Sequence, residues 1–212
     1  MKLYTYWRSS AAYRVRIALN LKGIGADLVP IHLVRDGGEQ HAEAYRSVNP
    51  NELVPALVLD DGTSITQSVA IVEYLDEVHG GPRLLPDDPK RRARVRSAAL
   101  TIACDIHPIN NLRVITHLKK AYGRSQSDIV DWMARWMTLG LHAYRDLIEP
   151  TGTFSFGETP SLADACLVPQ LYNAKRWNID IPGINRLREI EAACLALPAF
   201  AAAVPERQPD AE

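Results

Sequence analysis

Two apolar rhythms take turns over the first eighty residues, and only one continues beyond them. Residues 2–6 read as a short strand, after which Ala11, Val15, Ala18 and Leu19 fall at i, i+4, i+7 and i+8, one face of a helix closed by Gly23 and Gly25. Residues 28–33, Leu-Val-Pro-Ile-His-Leu, predict a second strand, and a glycine-containing loop leads to a short helix near 43–48. Residues 56–59 and 64–66 flank the turn signal Asp60-Asp61-Gly62 and predict a hairpin, followed by a helix over 68–78. The order β-α-β-α-β-β-α describes an α+β domain.

Gly80-Gly81-Pro82 and Pro86-Asp87-Asp88-Pro89 then crowd turn formers together, and strand signals vanish. This places a first domain over residues 1–80, a linker over 81–89 and an all-helical domain over 90–212. Long helices are predicted over 90–122 and 128–149, then 161–177 and 184–196. Ser161-Leu162-Ala163-Asp164 fits a capping box with Asp in the place of Glu, and reads as fold punctuation without chemistry. Residues 198–212, rich in Pro, Ala and charge, predict a loosely ordered tail.

Composition narrows the partners rather than the fold. The 24 basic and 25 acidic residues among 212 leave a net charge of −1, so no global field draws the chain to nucleic acid or to an anionic membrane. No stretch reaches the roughly 18 apolar residues of a membrane span, and the beginning lacks a secretory pattern, which predicts a cytoplasmic protein. Cys104, Cys166 and Cys194 stand far apart in apolar surroundings and are expected to be small buried hydrophobes. The six histidines show no ligand spacing, so no metal is expected.

Candidate chemistry gathers at Trp7-Arg8-Ser9-Ser10, where the first strand should become the first helix. Amide N–H groups at a helix start have no partner within the helix and favour negative charge. Two hydroxyls add donors to that field. Serine is also among the best helix caps, so the pair alone reads more readily as a cap without a ligand.

Later motifs change that balance. Ser9-Ser10 with Tyr13-Arg14-Val15-Arg16-Ile17-Ala18-Leu19, then Asn49-Pro50, Val54-Pro55-Ala56-Leu57, Gln67-Ser68-Val69-Ala70-Ile71 and Cys104-Asp105-Ile106-His107-Pro108-Ile109-Asn110-Asn111-Leu112-Arg113 follow in order over nearly the whole chain. Together they resemble the zeta class of cytosolic glutathione transferases. One departure is Ala11, where zeta enzymes often carry a cysteine. The resemblance implies a thioredoxin-like first domain, an all-α second domain, a homodimer, and reduced glutathione as the bound cofactor.

It also assigns residues. Val54, before a cis Pro55, would pair with the cysteinyl part of glutathione as an added strand. Gln67 and Ser68 would open the next helix, Ser68 capping it and receiving the γ-glutamyl carboxylate. Gln40 matches a glutathione-contacting position and reads equally as a solvated loop residue. His107 and Asn111, one turn apart on a predicted helix, could both reach glutathione or substrate, and His107 reads equally as a core histidine. Pro108 within that helix would kink it and shape a cleft. Arg8, Arg113 and Arg176 would hold the carboxylates of a small dicarboxylate substrate, because a planar guanidinium binds them bidentately. Arg14 and Arg16 read as a solvated helix flank.

The activity implied is glutathione-dependent isomerisation of maleylacetoacetate to fumarylacetoacetate, in tyrosine and phenylalanine breakdown. A free thiol with a pKa of about 8.5 is only about 3% thiolate at pH 7. A helix N-terminus contributes about 0.3 to 1 kcal/mol, less than one pKa unit, whereas a hydrogen bond to a charged group adds roughly 1.5 to 3 kcal/mol. A hydroxyl is therefore needed, and the resemblance points to Ser9, with Ser10 as second candidate. Other activities fit the same motifs: maleylpyruvate isomerisation in gentisate breakdown, glutathione transfer to α-halo acids, or binding without catalysis.

Overall fold

The computed structural model describes residues 1–212 and divides into two compact units, Met1–Leu84 with Leu195–Glu212, and Leu85–Cys194. The first is built on a four-stranded sheet of order β2-β1-β3-β4, from β1 (Lys2–Thr5), β2 (Asp27–Pro30), β3 (Ala56–Val58) and β4 (Ser64–Thr66). β1 and β2 are parallel, as a β-α-β crossover requires, and the other pairs are antiparallel.

Helix α1 (Ser10–Lys22) starts at the Ser9 cap and stops at Gly23, whose φ of 66° is the left-handed conformation that ends helices. From Ser10 to Leu19 every residue of α1 is buried, so it has no solvated flank there. The one-turn α2 (Glu43–Arg46) and the longer α3 (Ser68–Val78) complete the predicted order. A buried ion pair joins α1 to α3: Lys22 Nζ lies 2.9 Å from Asp76 Oδ1, which also accepts the Leu84 N–H.

The last residues depart from expectation. Residues 195–212 belong to the first unit rather than to the helical one, and they are ordered. Pro198 begins α9 (Pro198–Ala203), in which Phe200 is fully buried and Ala203 nearly so. The Arg16 Nε donates to the Ala203 carbonyl at 3.2 Å, and Asn20 donates to the Ala199 carbonyl. A composition of Pro and Ala suggested a loose tail, but one aromatic and a small-residue face suffice to cover α1.

The helical unit consists of α4 (Pro89–Leu100), α5 (Leu112–Tyr122), α6 (Gln126–Leu147), α7 (Leu162–Arg176) and α8 (Asn185–Leu195). Ile129, Met133, Met137, Leu141 and Tyr144 form the buried stripe of α6. The capping box of α7 is present: Asp164 accepts from the Ser161 N–H and hydroxyl and from the Ser155 N–H. Burial pushes the Asp164 carboxyl above its usual range despite these bonds.

The single helix expected over 90–122 is instead three pieces. After α4 the chain widens into a π-helical turn, Thr101–Ile106, closed by the His107 N–H on the Ile102 carbonyl. Pro108 has no N–H to continue a ladder, and Asn111 starts α5 by accepting the Arg113 N–H at 3.1 Å. Pro108 thus sits in a turn between helices and kinks none. Cys104 lies on this turn and is exposed, unlike the buried Cys166 and Cys194, and none of the three forms a disulfide. No helix is long and apolar enough to cross a membrane.

Candidate active site

Sheet register gathers the sequence motifs of the first unit. Thr5, the last residue of β1, pairs with Pro30 at the end of β2, while Tyr4 pairs with Ala56, the first residue of β3, which pairs with Thr66 at the end of β4. The segments leaving or entering the sheet at that end are therefore Tyr6–Ser10, the loop from Ile31 to His41, Val54-Pro55 and Gln67-Ser68. Arg8, Ser9, Ser10, Gln40, Val54, Pro55, Gln67 and Ser68 all lie on them. Sheets of this open kind present ligand sites at such strand ends.

Each segment is fixed by a different device. Ser9 caps α1, its Oγ accepting the Ala12 N–H at 3.2 Å while its own N–H donates to the Tyr6 carbonyl. A serine oxygen that accepts a cap bond still has its proton to give. Ser9 is half-buried, whereas Ser10, the first residue of α1, is 8% exposed. Arg8 stands over the Trp7 ring at 4.8 Å, donates to the Tyr6 hydroxyl at 3.1 Å, and keeps a buried Nε with no protein acceptor.

The Val54-Pro55 peptide is cis, as the resemblance implied, and β3 begins only at Ala56, so the Val54 backbone stands outside the sheet ladder. The Leu53 carbonyl before it is held by the Tyr45 hydroxyl and by Asn49 Nδ2. Burial pushes the Tyr45 phenol up to about 12, so it remains a donor throughout the neutral range. Tyr6, Trp7, Tyr45 and Val54 form one apolar cluster, which places the serine segment and the Val54 segment side by side.

Gln40 is buried in its loop rather than solvated; its Nε2 donates to the Leu33 carbonyl, and its Oε1 has no protein partner. A Cβ on Gly38 would stand 2.4 Å from Gln40 Nε2, and the φ of Gly38 is 108°, so only glycine lets this loop close on Gln40. Gln67 precedes α3 with a φ of 71°, a left-handed conformation unusual for a side chain of this size. Ser68 does not cap α3; Gln67 holds the cap position, and the Ser68 hydroxyl accepts from Arg14 Nη1 at 3.2 Å.

The two arginines read as a solvated flank are the main correction. Arg14 is 2% and Arg16 is 3% exposed. Arg14 brings a cation beneath the α3 start, and Arg16 donates to the Tyr6 and Trp7 carbonyls, to Thr5 Oγ1 and to the Ala203 carbonyl. The available signal was the neighbourhood: Ala11-Ala12 and Val15, Ile17, Ala18 and Leu19 leave no polar face for the arginines to share.

The helical unit carries the remaining candidates. His107 is half-buried at the end of the π-helical turn, not a core histidine, and Asn111 is the α5 cap, so the two are not one turn apart on a helix. With its carbonyl oxygen on the Arg113 N–H, Asn111 has its amide N–H groups to offer. The Arg113 side chain is exposed in the first turn of α5. Arg176, in the last turn of α7, is exposed, lies 5.4 Å from the Trp177 ring and donates to Asn173 Oδ1 at 3.0 Å.

Such a set suits a small peptide with a free carboxylate: an unladdered main-chain segment, a helix start backed by a buried cation, a buried unsatisfied amide oxygen and a hydroxyl with its proton. Comparison with known proteins agrees. A profile of the glutathione S-transferase N-terminal domain matches residues 3–83. The maleylacetoacetate isomerase of Pseudomonas aeruginosa is 46% identical over 210 residues, covering 99% of this chain and 98% of that one. The maleylpyruvate isomerase of a Ralstonia species is 45% identical over 215 residues, covering 99% of each. A crystal structure of maleylacetoacetate isomerase from Methylobacterium extorquens, with malonate and glutathione bound, superposes with a TM-score of 0.94 at 41% identity, covering 100% of both chains.

A thioredoxin-like glutathione-binding unit followed by a helical unit defines a glutathione transferase. The chain belongs to the zeta class of that family, which includes the maleylacetoacetate and maleylpyruvate isomerases.

Proposed function

We propose that this protein is a glutathione-dependent cis–trans isomerase that converts maleylacetoacetate to fumarylacetoacetate. The observation that carries the reading is the convergence at one end of the sheet of Ser9, with a proton to give, and the Val54 and Gln67-Ser68 segments that suit a peptide. When bound, glutathione supplies a thiolate that adds to the cis double bond and leaves again once the resulting single bond has turned. Val54 pairs with its cysteinyl main chain, and the α3 start, with Ser68 and the Arg14 charge behind it, receives the γ-glutamyl carboxylate. Gln40 offers its buried oxygen to a ligand donor, and His107 and Asn111, both carried by the helical unit, remain the further candidates for glutathione binding.

The Ser9 hydroxyl donates a hydrogen bond to the sulfur and so favours the thiolate, with Ser10 behind it at the helix start. Helix end and hydroxyl together supply roughly 2 to 4 kcal/mol, enough to make thiolate the main form near pH 7. Ser9 rather than Ser10 fits this role, because Ser9 is half-buried whereas Ser10 is buried. Arg8 faces the charge that develops on the substrate carbonyl oxygen, and the exposed Arg113 and Arg176 take the carboxylates. A cytoplasmic homodimer fits this reading, with Leu112, Leu139 and Leu147 among the exposed apolar side chains available to a second copy.

The Ralstonia relative is as similar as the Pseudomonas one, so maleylpyruvate is the competing substrate. The deciding experiment compares kcat/KM for maleylacetoacetate and maleylpyruvate, with and without glutathione, at neutral pH. A preference of about tenfold or more for maleylacetoacetate, dependent on glutathione, is expected. A preference for maleylpyruvate would reassign the substrate, and turnover independent of glutathione would remove the mechanism.

A further inference from the structure

The final residues of the sequence are tied to the segment that carries Ser9, although 203 positions separate the bonded groups. The Trp7 N–H donates to Asp210 Oδ2 at 2.9 Å. Ala211 packs against the cluster of Tyr6, Trp7, Tyr45 and Val54. Glu212 Oε1 accepts from Arg35 Nη2 at 2.6 Å and lies 3.3 Å from His32 Nε2, on the loop that leads to Gln40. Three consecutive residues thus touch the serine segment, the Val54 cluster and the Gln40 loop in turn. Their base is held as well. Gln208 Nε2 donates to the Ala202 and Val204 carbonyls, and Arg16 spans from the Ala203 carbonyl to those of Tyr6 and Trp7.

We propose that residues 208–212 form a positioning strap for the glutathione site, with Asp210 as its working residue. Trp7 leaves β1 and must turn within two residues to bring Ser9 to the head of α1. Arg16 holds the carbonyl side of that turn, and Asp210 holds the amide side through a charge-assisted bond, which sets where the Ser9 hydroxyl points. Arg8 is carried along, because its guanidinium lies over the same Trp7 ring. Asp210 does not touch the reacting atoms and acts through Trp7. The inference rests on the reading of Ser9 as the thiol donor.

The test uses the full chain with Asp210→Ala and Asp210→Asn, reading glutathione affinity by calorimetry, the titration of the bound thiol by ultraviolet absorbance, and steady-state kinetics. Asp210→Ala is expected to raise the thiol pKa by about half a unit or more and to lower kcat at neutral pH about threefold, with KM for the dicarboxylate little changed. Asp210→Asn keeps an acceptor oxygen and should return both to near the parent values. A lower melting temperature with an unmoved thiol titration would mean a structural anchor only and would overturn the proposal, as would an Asn variant as impaired as the Ala one. Removing Ala211 and Glu212 leaves Asp210 in place and gives a second readout if Asp210→Ala folds poorly: a smaller shift in the same direction supports the strap, and none overturns it. Failure of the parent protein to bind glutathione, or a Ser9→Ala titration equal to the parent's, would strike the Ser9 reading itself; a shift in Ser9→Ala without one in the Asp210 variants would strike only the strap.

Discussion

Ser9 serves α1 and the proposed chemistry with one oxygen, accepting the Ala12 N–H while its proton remains to be donated. Replacing it by Ala removes both. The bound thiol should titrate about one to two units higher, cutting kcat at neutral pH at least tenfold and moving the rising limb of the pH–rate profile to higher pH. Loss of the cap should also cost about 0.5 to 2 kcal/mol of stability by denaturant titration. Unchanged kinetics would pass the role to Ser10 or to a backbone donor. Arg176 is exposed at the end of α7, so Arg176→Ala should fold normally and raise KM for the dianionic substrate roughly tenfold; a normal KM would remove it from the substrate site. The sequence showed the hydroxyl pair and the Val54-Pro55 junction because each is a local pattern. It hid the work of Arg14 and Arg16, because a guanidinium is buried only where distant acceptors meet it: Ser68 for one, the Ala203 carbonyl for the other.

At the scale of elements, strands and amphipathic helices were legible, and α3 begins and ends where its pattern said. The stretch between α4 and α5 was not, since its apolar spacing continues the helical period through Ile102, Ile106 and Ile109. Pro108 and the Asn111 cap interrupt it locally, and close packing holds the wider turn before them. Gly140 of α6 lets that helix approach so closely that an added Cβ would stand 2.2 Å from Ile106 Cγ1. Ile106 is the last residue of the π-helical turn and is fully buried, so it has little room to yield. Gly140→Ala should therefore destabilise the helical unit by about 1 to 3 kcal/mol, although alanine is the better helix former. Hydrogen exchange would show lost protection around residues 101–111 first. A stabilised variant would mean that Ile106 repacks without cost.

At the scale of the whole molecule, the division into a sheet-bearing unit and a helical unit was readable from the disappearance of strand signals near residue 80. The return of residues 195–212 to the first unit was not, because nothing in an Ala- and Pro-rich segment says which surface it covers. Phe200 is the large apolar side chain of α9 and is fully buried. Phe200→Ala should cost about 3 to 5 kcal/mol, with exchange protection lost in α1 and the sheet and retained in α6. Loss confined to the helical unit would contradict the assignment.

The placement of α9 also sets an order of events during synthesis. Residues 85–194 are an insertion within a unit whose two parts lie on either side of them in the sequence. On the ribosome the strands emerge before residues 195–212, and α1 gains its α9 cover, and Trp7 its acceptor, only once those residues are released. The helical unit has its complete sequence before that moment. A nascent chain stalled before residue 195 should thus hold a finished helical unit and an unfinished glutathione site, so competence to bind the tripeptide would follow the folding of the helical unit.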